Sequence, residues 1–174
     1  MFFVVKQNME NIIFQEQQRF SLWLRWLIYL SMGFSAGITA FAMYKIPATE
    51  GSHDSWESTL GWVVGIGVPI AIAVLFLLLK LETYVSRDGI DVRFFPFHIR
   101  FKRFRPEDLS EYYARQYRPI WEYGGWGIRY SLRYGKAYNV SGNRGVQLVF
   151  KNGKKLLIGS QKPEQLEAAI REIA

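Results

Sequence analysis

The sequence predicts a membrane protein of the α+β class: an N-terminal two-helix transmembrane hairpin, then a small antiparallel β-barrel or bent sheet with a C-terminal helix. Three observations lead there. Residues 22–44 and 60–79 are almost free of charge, the first interrupted only by Arg25. Beyond residue 81 the chain turns to short alternating runs broken by Gly, Asn, Asp and Pro. From Pro163 onward, apolar side chains recur at helical spacing.

Composition bounds the chemistry. The 174 residues suit one compact domain with an appendage, at ~100–200 residues per domain. The chain has no cysteine, which excludes disulfides, thiolate nucleophiles and thiolate metal sites. His53 and His98 are its only histidines, too few for a histidine-rich metal centre. The formal charge is +7, and since acids and bases cancel up to Lys80, the whole excess lies in the second half.

Residues 1–20 are expected on the cytoplasmic side. Phe2, Phe3, Val4, Val5, Ile12, Ile13 and Phe14 suit either the membrane surface or pairing with the sheet. At ~1.5 Å per residue, each apolar stretch within 21–80 reaches about 30 Å, a bilayer's hydrocarbon thickness. Arg25 can snorkel from one turn inside the first span. Trp23, Trp26, Tyr29, Tyr44, Trp56 and Trp62 fit interfacial belts. Ala40-Phe41-Ala42 resembles a signal-peptidase site, but the long apolar run and Glu10 and Glu16 before it favour an uncleaved anchor. The short loop 47–59 holds three acids, whereas bases flank the other ends. The positive-inside rule then puts both termini in the cytoplasm of a multi-pass plasma-membrane protein. Gly33, Gly37, Gly61 and Gly65, each pair spaced four apart, are the candidate helix-packing residues. Pro69 is expected to kink the second span.

In 81–174, two β-rich runs flank Asp88-Gly89 as a hairpin. Residues 98–104 alternate basic and apolar, which predicts a strand with one buried and one basic face. Residues 109–117 form a further strand candidate. Residues 123–127 read as a glycine-rich turn into strand 128–132, and 136–140 as another strand. The clearest hairpin joins 146–150 to 155–158 through Lys151-Asn152-Gly153-Lys154. Leu166, Ala169, Ile170 and Ile173 then give an amphipathic helix behind Pro163.

Two spans, these strands, Gly124-Gly125-Trp126-Gly127-Ile128-Arg129, residues 135–143 and residues 157–166 resemble a bacterial family of small membrane proteins. The resemblance implies a cytoplasmic pleckstrin-homology-like domain and a bacterial plasma-membrane address. It brings no activity and no catalytic residues.

The glycine-rich turns lack the strand–loop–helix setting and the Lys-Ser/Thr of a nucleotide loop. Glu107, Asp108 and Glu111 form the tightest acidic group, but no oxygen-rich loop accompanies them. No catalytic residue, cofactor or metal is therefore expected. The candidate contact residues are Arg100, Lys102, Arg103 and Arg105, facing either lipid or a partner.

The expected function is a non-enzymatic, membrane-anchored adaptor or accessory subunit that docks a protein partner. The alternative is a stand-alone sensor of anionic lipid headgroups through the basic strand, and an enzyme of unknown reaction comes third. Expected partners are the lipid bilayer and a protein or membrane complex; a homo-oligomer is left open, and nucleic acid is not expected.

Overall fold

The computed structural model of the chain describes residues 12–45 and 63–174. It divides into two compact units, Phe20–Leu78 and a larger one made of Leu79–Ala174 with the strand that precedes Phe20.

The first unit is helical. Helix α1, Leu22–Lys45, runs for 24 residues. A five-residue π-helical turn, Val63–Gly67, leads into α2, Val68–Leu78, of 11 residues. Pro69 has no N–H to give the carbonyl four residues back, and the π turn lies just ahead of it.

The expected transmembrane hairpin is corrected here. Among the described residues, no helix is long and apolar enough to cross a membrane. The described α-helical part of the second stretch has 11 residues, rising about 17 Å against a ~30 Å hydrocarbon core. In α1, Arg25, Ser31, Ser35, Thr39 and Lys45 dilute an apolarity that scarcity of charge alone overstates. The multi-pass plasma-membrane placement rested on those two spans and is corrected with them. The loop 47–59, its acids and His53 lie outside the described residues.

The apolar side chains of this unit point largely outward, Phe34 being 72% and Leu30 66% exposed. Its inner contacts include an edge-to-face pair of Phe20 and Phe76, 5.5 Å between centroids. The glycines divide. A Cβ on Gly65 would strike the Thr39 side chain, so α1 and the π turn meet there, whereas Gly33 and Gly37 face open space. Gly61 lies outside the described residues.

The second unit is built on two sheets. Strands β1 (Ile12–Arg19), β2 (Lys80–Ser86), β3 (Gly89–Phe95) and β4 (Lys102–Phe104) form a four-stranded antiparallel sheet in that order. The N-terminal segment thus pairs with the sheet from Ile12 onward, with Glu16 opposite Thr83. A five-stranded sheet follows, in the order β5-β8-β9-β7-β6. Its strands are β5 (Leu109–Gln116), β6 (Gly127–Ser131), β7 (Gly135–Asn139), β8 (Arg144–Phe150) and β9 (Lys155–Gly159). A short helix α3, Pro119–Tyr123, precedes β6, and helix α4, Pro163–Ile173, ends the chain.

The expected single antiparallel barrel or bent sheet is corrected as well. The described residues form two sheets, and β7 runs parallel to β9, with Lys136 opposite Leu156. Residues 156–159 of β9 are all buried, so this strand needs neighbours on both sides. It therefore lies between β7 and β8 instead of leaving them to pair as a hairpin.

The core joins both sheets to α4. Leu81, Val85, Ile90 and Val92 from the first sheet are fully buried, as are Val146, Leu148, Leu157 and Ile158 from the second. Leu166, Ala169 and Ile170 line the buried face of α4. The Glu167 carboxylate on that helix accepts the Ala114 N–H of β5 at 2.8 Å. Between the sheets, Phe104 packs on Phe150 at 5.7 Å.

Candidate anion-binding cleft

Where the edge strand β4 approaches the β6–β7 and β8–β9 hairpins, a cleft of about 880 Å³ opens. Its charged lining is one-sided. Lys102 comes from β4, Arg133 and Lys136 from the β6–β7 hairpin, and Lys151, Lys154 and Lys155 from the β8–β9 hairpin; among the described residues the one acid is Asp108. None of these six cations forms an ion pair among the described residues.

Tight turns hold the cations in place. At the β8–β9 turn, the Gly153 N–H donates to Phe150 O at 2.8 Å and the Phe150 N–H to Lys154 O at 2.9 Å. Asn152 Oδ1 accepts the Lys154 N–H at 3.0 Å, an Asx-type turn. The Lys151 N–H donates to Asp108 O at 2.9 Å, tying this turn to the one before β5. At the other hairpin, Gly135 has φ +80° and its Cα faces the Lys155 backbone so closely that any side chain would collide. That approach couples the two basic hairpins.

The inner end centres on Tyr138, a residue 1% exposed whose ring still lines the cleft. Lys102 Nζ donates to its hydroxyl at 3.2 Å. The Lys102 and Lys136 ammoniums lie 5.7 and 5.5 Å from the ring centroid. His98 meets the same ring edge-on at 5.3 Å. Burial, then Lys102 and Lys136, holds the His98 imidazole below its usual pKa. Its buried Nδ1 has no hydrogen-bond partner among the described residues.

The four basic residues expected to act together are not one surface. Strand β4 is only three residues long, so period-two spacing does not extend back to Arg100. Lys102 and Phe104 point into the cleft. Arg103 turns the other way and makes a two-pronged pair with Asp91 on β3, at 2.9 and 2.8 Å. Those hydrogen bonds keep its pKa raised against the effect of burial. Arg100 and Arg105 are exposed and outside the cleft lining. Phe101 packs under the Arg93 guanidinium at 4.3 Å and against Tyr84 at 5.4 Å.

No family model matches this chain, and no curated protein matches it. The cleft must therefore be read from its own residues. Among the described residues no group of three His, Asp or Glu side chains gathers as a metal site.

Sequence reasoning found Lys102 and missed Arg133, Lys136, Tyr138, Lys151, Lys154 and Lys155. A signal was present: both hairpin turns, 132–136 and 151–155, carry closely spaced bases beside a glycine. What joins them is the parallel pairing of β7 with β9, which no local pattern announces.

Proposed function

We propose that the protein is a non-enzymatic docking module whose cleft receives an acidic segment of a protein partner. The observation that carries this is the set of six cations without carboxylate partners among the described residues, facing one described acid. Like charges held together by the fold repel one another, and a polyanionic ligand relieves that repulsion. A polypeptide suits the site because two strands that border it, β4 and β6, are terminal strands of their sheets among the described residues. Their unpaired backbone groups can take an added strand while its acidic side chains reach the lysines. A lipid sensor using Arg100, Lys102, Arg103 and Arg105 as one surface has less support, since Arg103 is committed to Asp91.

The test is fluorescence anisotropy of a labelled Asp/Glu-rich peptide with the full-length protein. Binding should weaken steeply with salt, and Lys151→Glu with Lys154→Glu should abolish it. Arg100→Glu with Arg105→Glu should leave it nearly intact. Tighter binding of an oligonucleotide than of the peptide, or equal loss in both double variants, would overturn the reading.

A further inference from the structure

The geometry points to a phosphate subsite at the inner end of this cleft, formed by Lys102, Lys136 and the Tyr138 hydroxyl, which takes a phosphomonoester carried on the docked segment. This rests on the docking reading and adds the chemistry of one position in it.

Three features single out that position. Two ammoniums gather at a single ring, Lys102 from the first sheet and Lys136 from the second, and neither has a carboxylate partner among the described residues. A carboxylate brings one negative charge and leaves one ammonium uncompensated, whereas a phosphomonoester brings ≈ −1.5 to −2 near neutral pH. Lysine serves phosphate as a mobile point charge, and its four-carbon stem lets both ammoniums close on one ligand.

The Tyr138 hydroxyl adds direction. Its oxygen already accepts from Lys102 Nζ at 3.2 Å, and no acceptor for its own proton occurs among the described residues. That leaves a donor, polarised by an adjacent cation, for an anionic oxygen in the cleft. The space is also larger than the ion alone requires. Lys151 and Lys154 stand on the outer hairpin turn, with the 95% exposed Leu132 across from them on the β6–β7 turn. A free phosphate would leave that outer ground empty, so the phosphate belongs to a longer acidic chain.

His98 reports occupancy. The charged and titratable groups facing it are Lys102 on β4 and Lys136 and Tyr138 on β7. A dianion between the lysines offsets the field that disfavours imidazolium, so His98 should bind its proton more readily in the complex. With only two histidines in the chain, its ring signals can be assigned by His98→Gln.

The experiment compares an acidic peptide with its phosphoserine counterpart on the full-length protein, with inorganic phosphate and sulfate as further probes. The phosphorylated peptide should bind about tenfold tighter, a charge-assisted hydrogen-bond increment. Lys102→Gln and Lys136→Gln should each weaken the phosphorylated peptide much more than the unphosphorylated one, removing most of that increment. In NMR titrations with sulfate, which does not change charge between pH 5 and 8, the His98 pKa should rise. Equal binding of the two peptides, or an increment that survives both substitutions, would overturn the subsite and leave docking standing. Failure of every anion to bind would overturn docking itself. Preference for vesicles containing phosphatidic acid over the phosphopeptide would assign the phosphate to a membrane and overturn the proposal as stated.

Discussion

The Glu16 carboxylate accepts the Ser160 hydroxyl proton at 2.6 Å, joining the first strand to the residue that follows the last. Its other oxygen accepts the Gln161 N–H at 2.8 Å, and Glu16 is only 9% exposed. Gln18 adds a parallel tie, its amide donating to Gly159 O at 2.6 Å. Glu16→Gln replaces one acceptor with a donor that faces another donor. The expected cost is about 1.5–3 kcal/mol, as for hydrogen bonds to charged groups. Urea unfolding checks it, and an unchanged midpoint would show that these bonds do not hold the strand.

That tie marks the boundary of what the sequence makes legible. Local patterns suffice for the hairpin around Asp88-Gly89, the strand 109–116, the hairpin 144–159 and the amphipathic helix behind Pro163. In each, period and turn chemistry agree. Residues 12–19 show no apolar alternation, since their inward positions are Phe14, Glu16 and Gln18, and only their pairing with 80–86 decides between a strand and a surface segment. The apolar stretches misled for a different reason. Absence of charge is not sufficient length of apolar helix, and the described part of the second stretch holds 11 α-helical residues after a π turn. Within the cleft, Lys102 was legible as basic, whereas its convergence with Lys136 depends on two sheets meeting at Tyr138.

Removal of one cleft cation should stabilise the unliganded protein. Lys136 has no carboxylate partner among the described residues, and it shares the Tyr138 ring with Lys102. Lys136→Met relieves that repulsion while keeping the aliphatic stem. Such a gain of about 0.5–1 kcal/mol raises Tm by roughly 2 °C in a chain of this size. Thermal unfolding at low salt checks it. A fall in Tm would mean that the cation supports the fold rather than a ligand.

Mild acid should weaken the free protein through His98. Burial, then Lys102 and Lys136, lowers its folded pKa, so the unfolded chain binds more protons as pH falls below ~6.5. Stability is then lost as pH drops through that range toward the folded pKa. His98→Gln should flatten the profile between pH 7 and 5, measured by urea midpoints at each pH. An identical slope in wild type and variant would contradict this.

At the alkaline end Tyr117 governs. Burial pushes its phenol up to about 12, only partly offset by the Asn139 side chain. The folded state therefore keeps a proton that the unfolded chain releases near ~10. Its contribution is complete below that value and is lost as pH rises through the folded pKa. Absorbance titration at 295 nm should show Tyr117 ionising last, behind Tyr84 and Tyr123, which burial also raises, and that last step should disappear in Tyr117→Phe. Ionisation of every tyrosine near 10 without unfolding would contradict it.

Whether an anionic partner occupies the cleft between β4 and the two basic hairpins is read by hydrogen–deuterium exchange on the full-length protein, with and without the phosphorylated acidic peptide. Slowed exchange is expected in residues 128–138 and 150–156 and at the β4 edge, with α3 unaffected. Protection centred on Ile120 and Trp121, or none at saturating peptide, would contradict it.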